Sequence, residues 1–216
     1  MKRTLIVFAR EPEVGFIKTR LTGHLAPEKI VRLYCAFLKD TLQLARQVQC
    51  EERLVAYISQ GEPRYLQEIA DGFSLWPQEG ADLGQRMSAA MSRCFHSGPE
   101  ARPIIIGSDT PHLTPARIDE AFRVLEEDDM ILGPSADGGF YLIGMRVEMD
   151  DIFKDVVWSS KTVFRQTMKN AQELGRRVKL LPNSYDIDLP QDVQRLKEDL
   201  LEQPDVAPAT RKELIG

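Results

Sequence analysis

Three aspartate-bearing segments follow apolar stretches of this chain and could bind a cation. They are residues 104–111 (IIIGSDTP), 135–141 (SADGGFY) and 184–192 (SYDIDLPQD). Carboxylate oxygens are the ligands that Mg²⁺ prefers, and one or two suffice when substrate phosphates and water supply the others. Asp109 and Asp188 are therefore candidate ligands for Mg²⁺ or Mn²⁺, provided that the fold brings them together.

The same aspartates also have purely structural interpretations. Asp and Pro are both common in turns, so Asp109 could simply end its strand. Asp188 could cap the helix that its neighbouring proline begins. Asp186 and Asp192 could lie on the surface near that helix start, where negative charge favours the helix dipole.

The second segment contains an Asp-Gly-Gly turn, which is typical of a hairpin. Gly138 and Gly139 could in addition let a substrate approach the backbone, because neither residue carries a side chain. A hydroxyl acceptor would need a general base nearby, and Asp137 is the candidate.

The first loop, residues 10–21 (REPEVGFIKTRL), is rich in cations. It lacks the GxGxxG pattern of dinucleotide-binding folds and the glycine spacing of a P-loop. It does combine a glycine turn at Gly15 with Lys18 and Arg20, and Arg10 stands at its near end. Three cations on one loop can neutralise a di- or triphosphate, and arginine can grip phosphate through two parallel hydrogen bonds.

Apolar runs and amphipathic stretches alternate along the chain and predict an α/β fold. Repeated strand–helix units imply right-handed crossovers, and hence a Rossmann-like, mostly parallel central sheet with helices on both faces. Ligands bind such sheets beyond the carboxyl ends of the strands, where Asp109 and the first loop are expected. With no obvious linker, we expect one domain over residues 1–203 and a polar, loosely held tail over residues 204–216.

Composition narrows the possible functions. The chain has 216 residues and a formal net charge of -5, so a general nucleic-acid surface is not expected. Its apolar runs are too short for a membrane span or a signal peptide. Cys35, Cys50 and Cys94 are widely spaced without a CxxC pair, which favours reduced thiols and a cytoplasmic protein.

Five segments together resemble one known superfamily. The segments FAREPEVGFIKTRL, GADLGQRM, IIIGSDTPHL, GPSADGGFYLIGM and YDIDLPQDVQRL are similar to the glycosyltransferase-A-like (GT-A) nucleotide-diphospho-sugar transferases over about residues 1–200. The resemblance is greatest to small bacterial glycosyltransferase-like proteins associated with radical-SAM proteins. It extends to phospholactate guanylyltransferase and the molybdenum-cofactor nucleotidyltransferases, and it implies a single GT-A domain and a transferase.

The resemblance also implies roles for individual residues. Asp109 and Asp188 would bind the divalent ion, although Leu189 stands where cytidylyltransferases carry threonine. Gly138 and Gly139 would line the acceptor side. The positions that would contact the nucleotide are Arg10, Lys18, Arg20, Gln85 and Arg86.

Two reactions and one non-catalytic role fit these residues. In nucleotidyl transfer from a nucleoside triphosphate to a small phosphorylated acceptor, Lys18 and Arg20 would stabilise charge on the phosphates next to the metal. In glycosyl transfer from a nucleotide sugar to a small-molecule hydroxyl, Asp137 would act as the base. The catalytic set would then comprise Lys18, Arg20, Asp109 and Asp137. The third possibility is a nucleotide-binding module without turnover. No nucleic-acid or membrane partner is expected, and an oligomer is possible.

Overall fold

A seven-stranded sheet forms the centre of the molecule. The computed structural model describes the backbone of residues 1–216 and every side chain except that of Asp150. The strands are β1 Lys2–Arg10, β2 Glu52–Ile58, β3 Ser74–Pro77, β4 Ala101–Gly107, β5 Met130–Pro134, β6 Phe140–Met145 and β7 Val178–Leu180. The helices are α1 Pro27–Gln47, α2 Arg64–Ile69, α3 Leu83–Phe95, α4 Pro115–Val124, α5 Val163–Glu173, α6 Pro190–Glu202 and α7 Pro208–Ile215, with short 3₁₀ helices at Thr19–Leu21 and Asp150–Phe153.

The strand order is β3-β2-β1-β4-β6-β5-β7. Strand β6 runs antiparallel to both β4 and β5, and the remaining neighbours pair in parallel. The antiparallel strand arises because the tight turn at residues 135–139 returns the chain directly beside β5. The prediction of a mostly parallel α/β sheet is confirmed.

Helices cover both faces of the sheet, because successive side chains of a strand point to opposite sides. On β1, Leu5 and Val7 face the core beneath α1, whereas Ile6 faces a second core beneath α3. Phe37 of α1 is fully buried in the first core, and Met87 of α3 is 3% exposed in the second. Burying one such side chain contributes about 1.5–3 kcal/mol, so Phe37→Ala would weaken the contact between α1 and the sheet.

Helix α1 follows from an apolar stripe at helical spacing. Pro27 occupies its first turn, where the missing N–H costs nothing. Leu33, Phe37 and Leu38 are buried against the sheet, and Tyr34 on the same stripe reaches the carboxyl edge of β1. No helix among the described residues combines the length and apolar character needed to cross a membrane.

The C-terminal segment differs from the loosely held tail predicted for residues 204–216. Residues Pro208–Ile215 form helix α7. The carboxylate of Asp40 on α1 accepts hydrogen bonds from the backbone N–H groups of Ala209 and Thr210, at 2.9 and 2.7 Å. The first N–H groups of a helix lack hydrogen-bond partners within the helix. The buried Asp40 on α1 provides these partners and holds the segment in place.

Candidate active site

A cavity of about 840 Å³ opens at the carboxyl edge of β1 and β4. The first loop, the loop after β4, the segment before α6 and the start of α3 contribute to its walls. This location agrees with the rule that open α/β sheets bind ligands beyond their carboxyl ends. The lining residues that carry charged, polar or aromatic groups include Arg10, Lys18, Arg20, Tyr34, Gln78, Asp82, Arg86, Ser108, Asp109, Phe140, Trp158, Asp186 and Asp188.

Two glutamates hold the first loop in place. Glu11 accepts backbone hydrogen bonds from Tyr65 and Leu66, at 2.7 and 3.2 Å, and so satisfies the start of α2. Glu13 accepts from the hydroxyl of Ser59 at 3.3 Å. These acidic residues are therefore structural, and the cations of the loop remain for the cavity.

Lys18, Arg20, Asp109 and Asp188 form a cluster on one side of the cavity. The Lys18 ammonium lies 2.7 Å from Asp109 Oδ1 and 3.0 Å from Asp188 Oδ1. Arg20 contacts the other oxygen of Asp188 at 3.3 Å. Burial of Lys18 favours its neutral form, but the two carboxylates outweigh this effect and raise its pKa. The lysine is therefore a cation held between two anions.

Helix α6 is capped in a way that leaves the Asp188 carboxylate free for this cluster. Asp192 Oδ2 accepts the backbone N–H groups of Asp188 and Leu189, at 3.1 and 2.7 Å. The backbone N–H of Ile187 donates to the carbonyl of Asp109 at 2.9 Å, which pins this segment against the end of β4. The capping role considered for Asp188 in the sequence thus belongs to Asp192.

Asp186 lies in the cavity wall rather than on the surface. Its two oxygens accept hydrogen bonds from the hydroxyls of Thr110 and Ser135, at 2.6 and 2.9 Å. Burial raises its pKa to about 6, although the two hydroxyls act in the opposite direction. The pattern Asp-Ile-Asp could have predicted that Asp186 lies on the same side as Asp188. In an extended segment with Ile187 in the core, Asp186 and Asp188 share the opposite side.

Tyr34 ties the ends of β1 and β4 together. Its hydroxyl accepts a hydrogen bond from the backbone N–H of Arg10 and lies within hydrogen-bond distance of Ser108 Oγ, both at 2.9 Å. Burial raises the pKa of Tyr34 to about 12. The hydroxyl is therefore neutral, and it holds the first loop against the loop that carries Asp109.

The Asp-Gly-Gly turn expected from the sequence joins the antiparallel strands β5 and β6. Asp137 is exposed, and its Oδ1 accepts the backbone N–H of Gly139 at 2.9 Å, so the carboxylate caps its own turn. At Gly138, where φ is +93°, an added Cβ would overlap the backbone of Lys161. The Gly138 carbonyl accepts from the Phe164 N–H at 2.9 Å. Gly138 thus admits a neighbouring protein segment, and none of residues 137–139 lines the cavity.

The two residues assigned to the nucleotide in GADLGQRM separate in the structure. Arg86 lines the cavity, and its Nε donates to the Gly80 carbonyl at 3.0 Å. Gln85 is exposed and does not line the cavity. Its side-chain oxygen instead accepts the Ala81 N–H at 3.0 Å. Asp82 caps α3 by accepting the Gln85 N–H. Adjacent residues of a helix point in different directions, so Arg86 faces the cavity and Gln85 faces away from it.

Aromatic side chains contribute another wall of the cavity. Trp158 lines it and packs against the ring of Phe153, with centroids 5.8 Å apart. A Cβ on Gly84 would lie 2.6 Å from the Trp158 ring, so glycine there allows the indole to rest on the first turn of α3. Nothing in the spacing of Trp158 along the sequence identifies this contact.

His112 supports the segment that carries Asp186 and Asp188. Its ring stacks on Tyr185 with centroids 4.3 Å apart, and its Nε2 lies 3.1 Å from Ser184 Oγ. Burial lowers the pKa of His112 to about 4, despite the opposing charge of Asp199. The neutral ring therefore acts as packing beneath the cluster.

The two carboxylates fit a divalent ion that takes its remaining ligands from other molecules. Asp109 and Asp188 each place one oxygen within 3.0 Å of the same point, which the Lys18 nitrogen occupies. Hard carboxylate oxygens suit Mg²⁺ or Mn²⁺. Among the described side chains no group of three or more His, Cys, Asp or Glu residues converges on a metal position. The chain would therefore supply two ligands and leave the others to substrate and water.

Several solved structures share this architecture. A candidate nucleotide-diphospho-sugar transferase from Desulfovibrio desulfuricans G20 is 27% identical, with a TM-score of 0.91 over 99% of this chain and 94% of the other. CMP:2-keto-3-deoxy-manno-octonic acid synthetase in complex with CTP is 12% identical, with a TM-score of 0.61 over 94% and 100%. Rv0371c from Mycobacterium tuberculosis H37Rv, in complex with manganese, is 18% identical, with a TM-score of 0.52 over 92% and 99%. The last two comparisons show the fold alone.

These findings define the class of the protein. The fold is that of the GT-A-like nucleotide-diphospho-sugar transferase superfamily, and the chain is a nucleotide-related transferase of that superfamily. It belongs to the family described as "Uncharacterized protein conserved in bacteria (DUF2064)", which it matches over residues 41–160. A comparison with curated proteins found no match.

Proposed function

We propose that the chain catalyses Mg²⁺-dependent nucleotidyl transfer from a nucleoside triphosphate to a small phosphorylated acceptor. One observation carries the proposal: two cations and two carboxylates meet at one side of a nucleotide-sized cavity. This combination suits metal-bridged phosphates better than it suits an uncharged ligand. The candidate binding set is Arg10, Lys18, Arg20 and Arg86 for the nucleotide and Asp109 and Asp188 for the ion.

The protein groups have distinct tasks in this reaction. Asp109 and Asp188 would hold the divalent ion, which when bound neutralises charge on phosphate oxygens. Lys18 and Arg20 would stabilise the charge that develops as the pyrophosphate departs. An acceptor phosphate is already an anion and needs little help from a general base. This requirement agrees with Asp137 lying outside the cavity, where its carboxylate caps a turn.

Glycosyl transfer is the second candidate, and the resemblance to the candidate nucleotide-diphospho-sugar transferase from Desulfovibrio desulfuricans G20 favours it. A hydroxyl acceptor needs a base. Since Asp137 lies outside the cavity, the base would have to come from the cavity wall, where Asp186 is one carboxylate. Asp186 already accepts two hydroxyl hydrogen bonds, so this reaction would require it to serve both structure and chemistry.

Thermal shift with a ligand panel separates these reactions. The panel comprises the four nucleoside triphosphates and their diphosphate sugars, each with and without Mg²⁺. A ligand at a hundredfold excess over its Kd adds about 2.7 kcal/mol to the free energy of unfolding. We expect Mg²⁺-dependent stabilisation by one triphosphate in the wild type and in Asp137→Asn, but not in Asp109→Asn. The two variants remove the same charge from neighbouring loops.

Three other results of the ligand panel would change the proposed function or the role of Asp109. Stabilisation by a nucleotide sugar, with none by its triphosphate, would favour glycosyl transfer. A triphosphate that stabilises the protein equally in Asp109→Asn would contradict the assigned role of Asp109. If no ligand of the panel stabilises the wild type, the proposed nucleotide site is wrong.

A further inference from the structure

The Lys18 ammonium occupies the position on which the two carboxylates converge. Its nitrogen lies 2.7 and 3.0 Å from one oxygen each of Asp109 and Asp188, and its side chain is only 4% exposed. A divalent ion bound to both of these oxygens would lie about 2.0–2.6 Å from each of them. It would therefore lie close to the ammonium, and two cations at such a separation repel strongly in a partly desolvated site.

The backbone holds the lysine in this position. Lys18 adopts a left-handed conformation with φ of 45° and ψ of 41°, which costs a residue with a Cβ about 1 kcal/mol. The flanking residues Ile17 and Leu21 are 4% and 0% exposed, so they anchor the loop on both sides. The ammonium also lies 5.9 Å from the centre of the Phe37 ring. Such strain persists only where surrounding contacts fix it, and it is often found at functional positions.

The cluster is electrically balanced without a metal ion. Asp109 and Asp188 carry two negative charges, and Lys18 and Arg20 carry two positive charges in contact with them. A free divalent ion therefore meets no net negative charge. The phosphates of a nucleotide offer Lys18 other anions and would draw its ammonium from the carboxylates, which then become available to the ion.

We propose that Lys18 closes the carboxylate pair to a free divalent ion, so that the ion enters together with the phosphates of a nucleotide. This inference rests on the proposed nucleotide-dependent function. It makes the affinities for ion and nucleotide coupled, and the coupling factor is the same in both directions. The device would keep the site from binding the ion in the absence of nucleotide.

A titration with Mn²⁺ alone tests the role of the lysine. Electron paramagnetic resonance measures the unbound ion at each step. We expect Lys18→Met to bind Mn²⁺ about tenfold more tightly than the wild type or better, because removal of the ammonium leaves two carboxylates facing one position. The control Lys169→Met also removes one positive charge, but from α5, where Lys169 forms an exposed pair with Glu173. It should change Mn²⁺ affinity by about twofold or less.

A second titration repeats the wild-type measurement with each of the four nucleoside triphosphates, and a protein-free titration corrects for the Mn²⁺ that the nucleotide itself binds. The Mn²⁺ affinity of the protein should rise with one of them. If the nucleotide raises Mn²⁺ affinity but Lys18→Met binds the free ion no better than the wild type, the proposed function stands and the inference about Lys18 fails. If Lys18→Met binds the free ion tightly while no nucleotide changes wild-type affinity, the lysine still closes the pair and the nucleotide function fails.

The wild-type titration gives a result that does not depend on whether the variants fold. Circular dichroism checks each variant, and Lys18→Ala, which leaves space for water, replaces Lys18→Met if the latter does not fold. Tight binding of free Mn²⁺ by the wild type, at the affinity seen with nucleotide, would overturn the inference whatever the variants do.

Discussion

The segment carrying Asp109 and the segment carrying Asp137 both follow a buried strand at the carboxyl edge of the sheet. Their carboxylates have different partners. Asp109 meets the side chain of Lys18 from the first loop, whereas Asp137 accepts a backbone N–H from its own turn. An aspartate after a strand therefore becomes a candidate site residue when a distant segment brings a cation to it. Without such a cation, the turn itself uses the carboxylate.

The two segments also differ in the space next to them. Beyond Asp109, the cavity stays open and is bounded by side chains from several loops. At Gly138, the backbone of Lys161 fills the space that a side chain would take. We therefore expect changes near Asp109 to affect the reaction and changes near Gly138 to affect stability.

The largest effect is expected from Asp109→Asn. Loss of this charge removes one proposed ion ligand and one partner of Lys18, and loss of a central electrostatic group typically lowers the rate by about 10²–10³-fold. Once the thermal-shift panel has identified the nucleotide, kcat measures the effect. The melting temperature should change little, because the Asp109 side chain is 41% exposed. A normal rate in this variant would remove the distinction between the two segments.

Gly138→Ala should produce the next largest effect, on folding. The added Cβ would overlap the Lys161 backbone, and φ of +93° is unfavourable for alanine. We expect a loss of about 2–4 kcal/mol in the free energy of unfolding by urea denaturation. Gly23→Ala is the matched control, since φ is +88° there and an added Cβ meets nothing within 4 Å. That control isolates the backbone penalty of about 1 kcal/mol. Equal losses in both variants would show that the Lys161 contact is unimportant.

The pH dependence of stability tests the burial of His112, which packs beneath the segment that carries Asp188. Unfolded His112 gains its proton near pH 6.5, whereas burial holds its folded pKa at about 4. The unfolded state thus binds more protons between these values, and acid favours unfolding. We expect the stability advantage of the wild type over His112→Phe to fall by about 2 kcal/mol between pH 7 and pH 5. Phenylalanine keeps a ring against Tyr185 but does not titrate. A constant difference across this pH range would contradict the assigned burial.

Asp137→Asn should have the smallest effect. The asparagine oxygen can still accept the Gly139 N–H, so we expect a change within about 0.5 kcal/mol in the free energy of unfolding and a nearly normal kcat. A drop in kcat of about a hundredfold, comparable to that of Asp109→Asn, would restore Asp137 to the catalytic role that the sequence suggested.

Much of the fold could be predicted because it depends on local patterns. The apolar run 104–106 and the amphipathic residues 27–47 have the periods of a buried strand and a helix, and the structure contains both. The C-terminal helix was missed because it depends on a partner far away in sequence. Its first N–H groups bind Asp40, 169 residues from Ala209. A local pattern cannot reveal such a contact.

The sequence alone determined which chemical groups stand at the carboxyl edge of the sheet. Lys18, Asp109 and Asp188 were identifiable because each lies next to a strand or helix whose pattern is clear. Their partners depend on the folded structure, since Lys18 and Asp188 are 170 residues apart and meet through the packing of the first loop against the segment before α6. The same holds for Asp137 and Gln85, which the structure turns to backbone N–H groups. Side-chain direction depends on the neighbours that surround a residue in space, and those neighbours come from other parts of the chain.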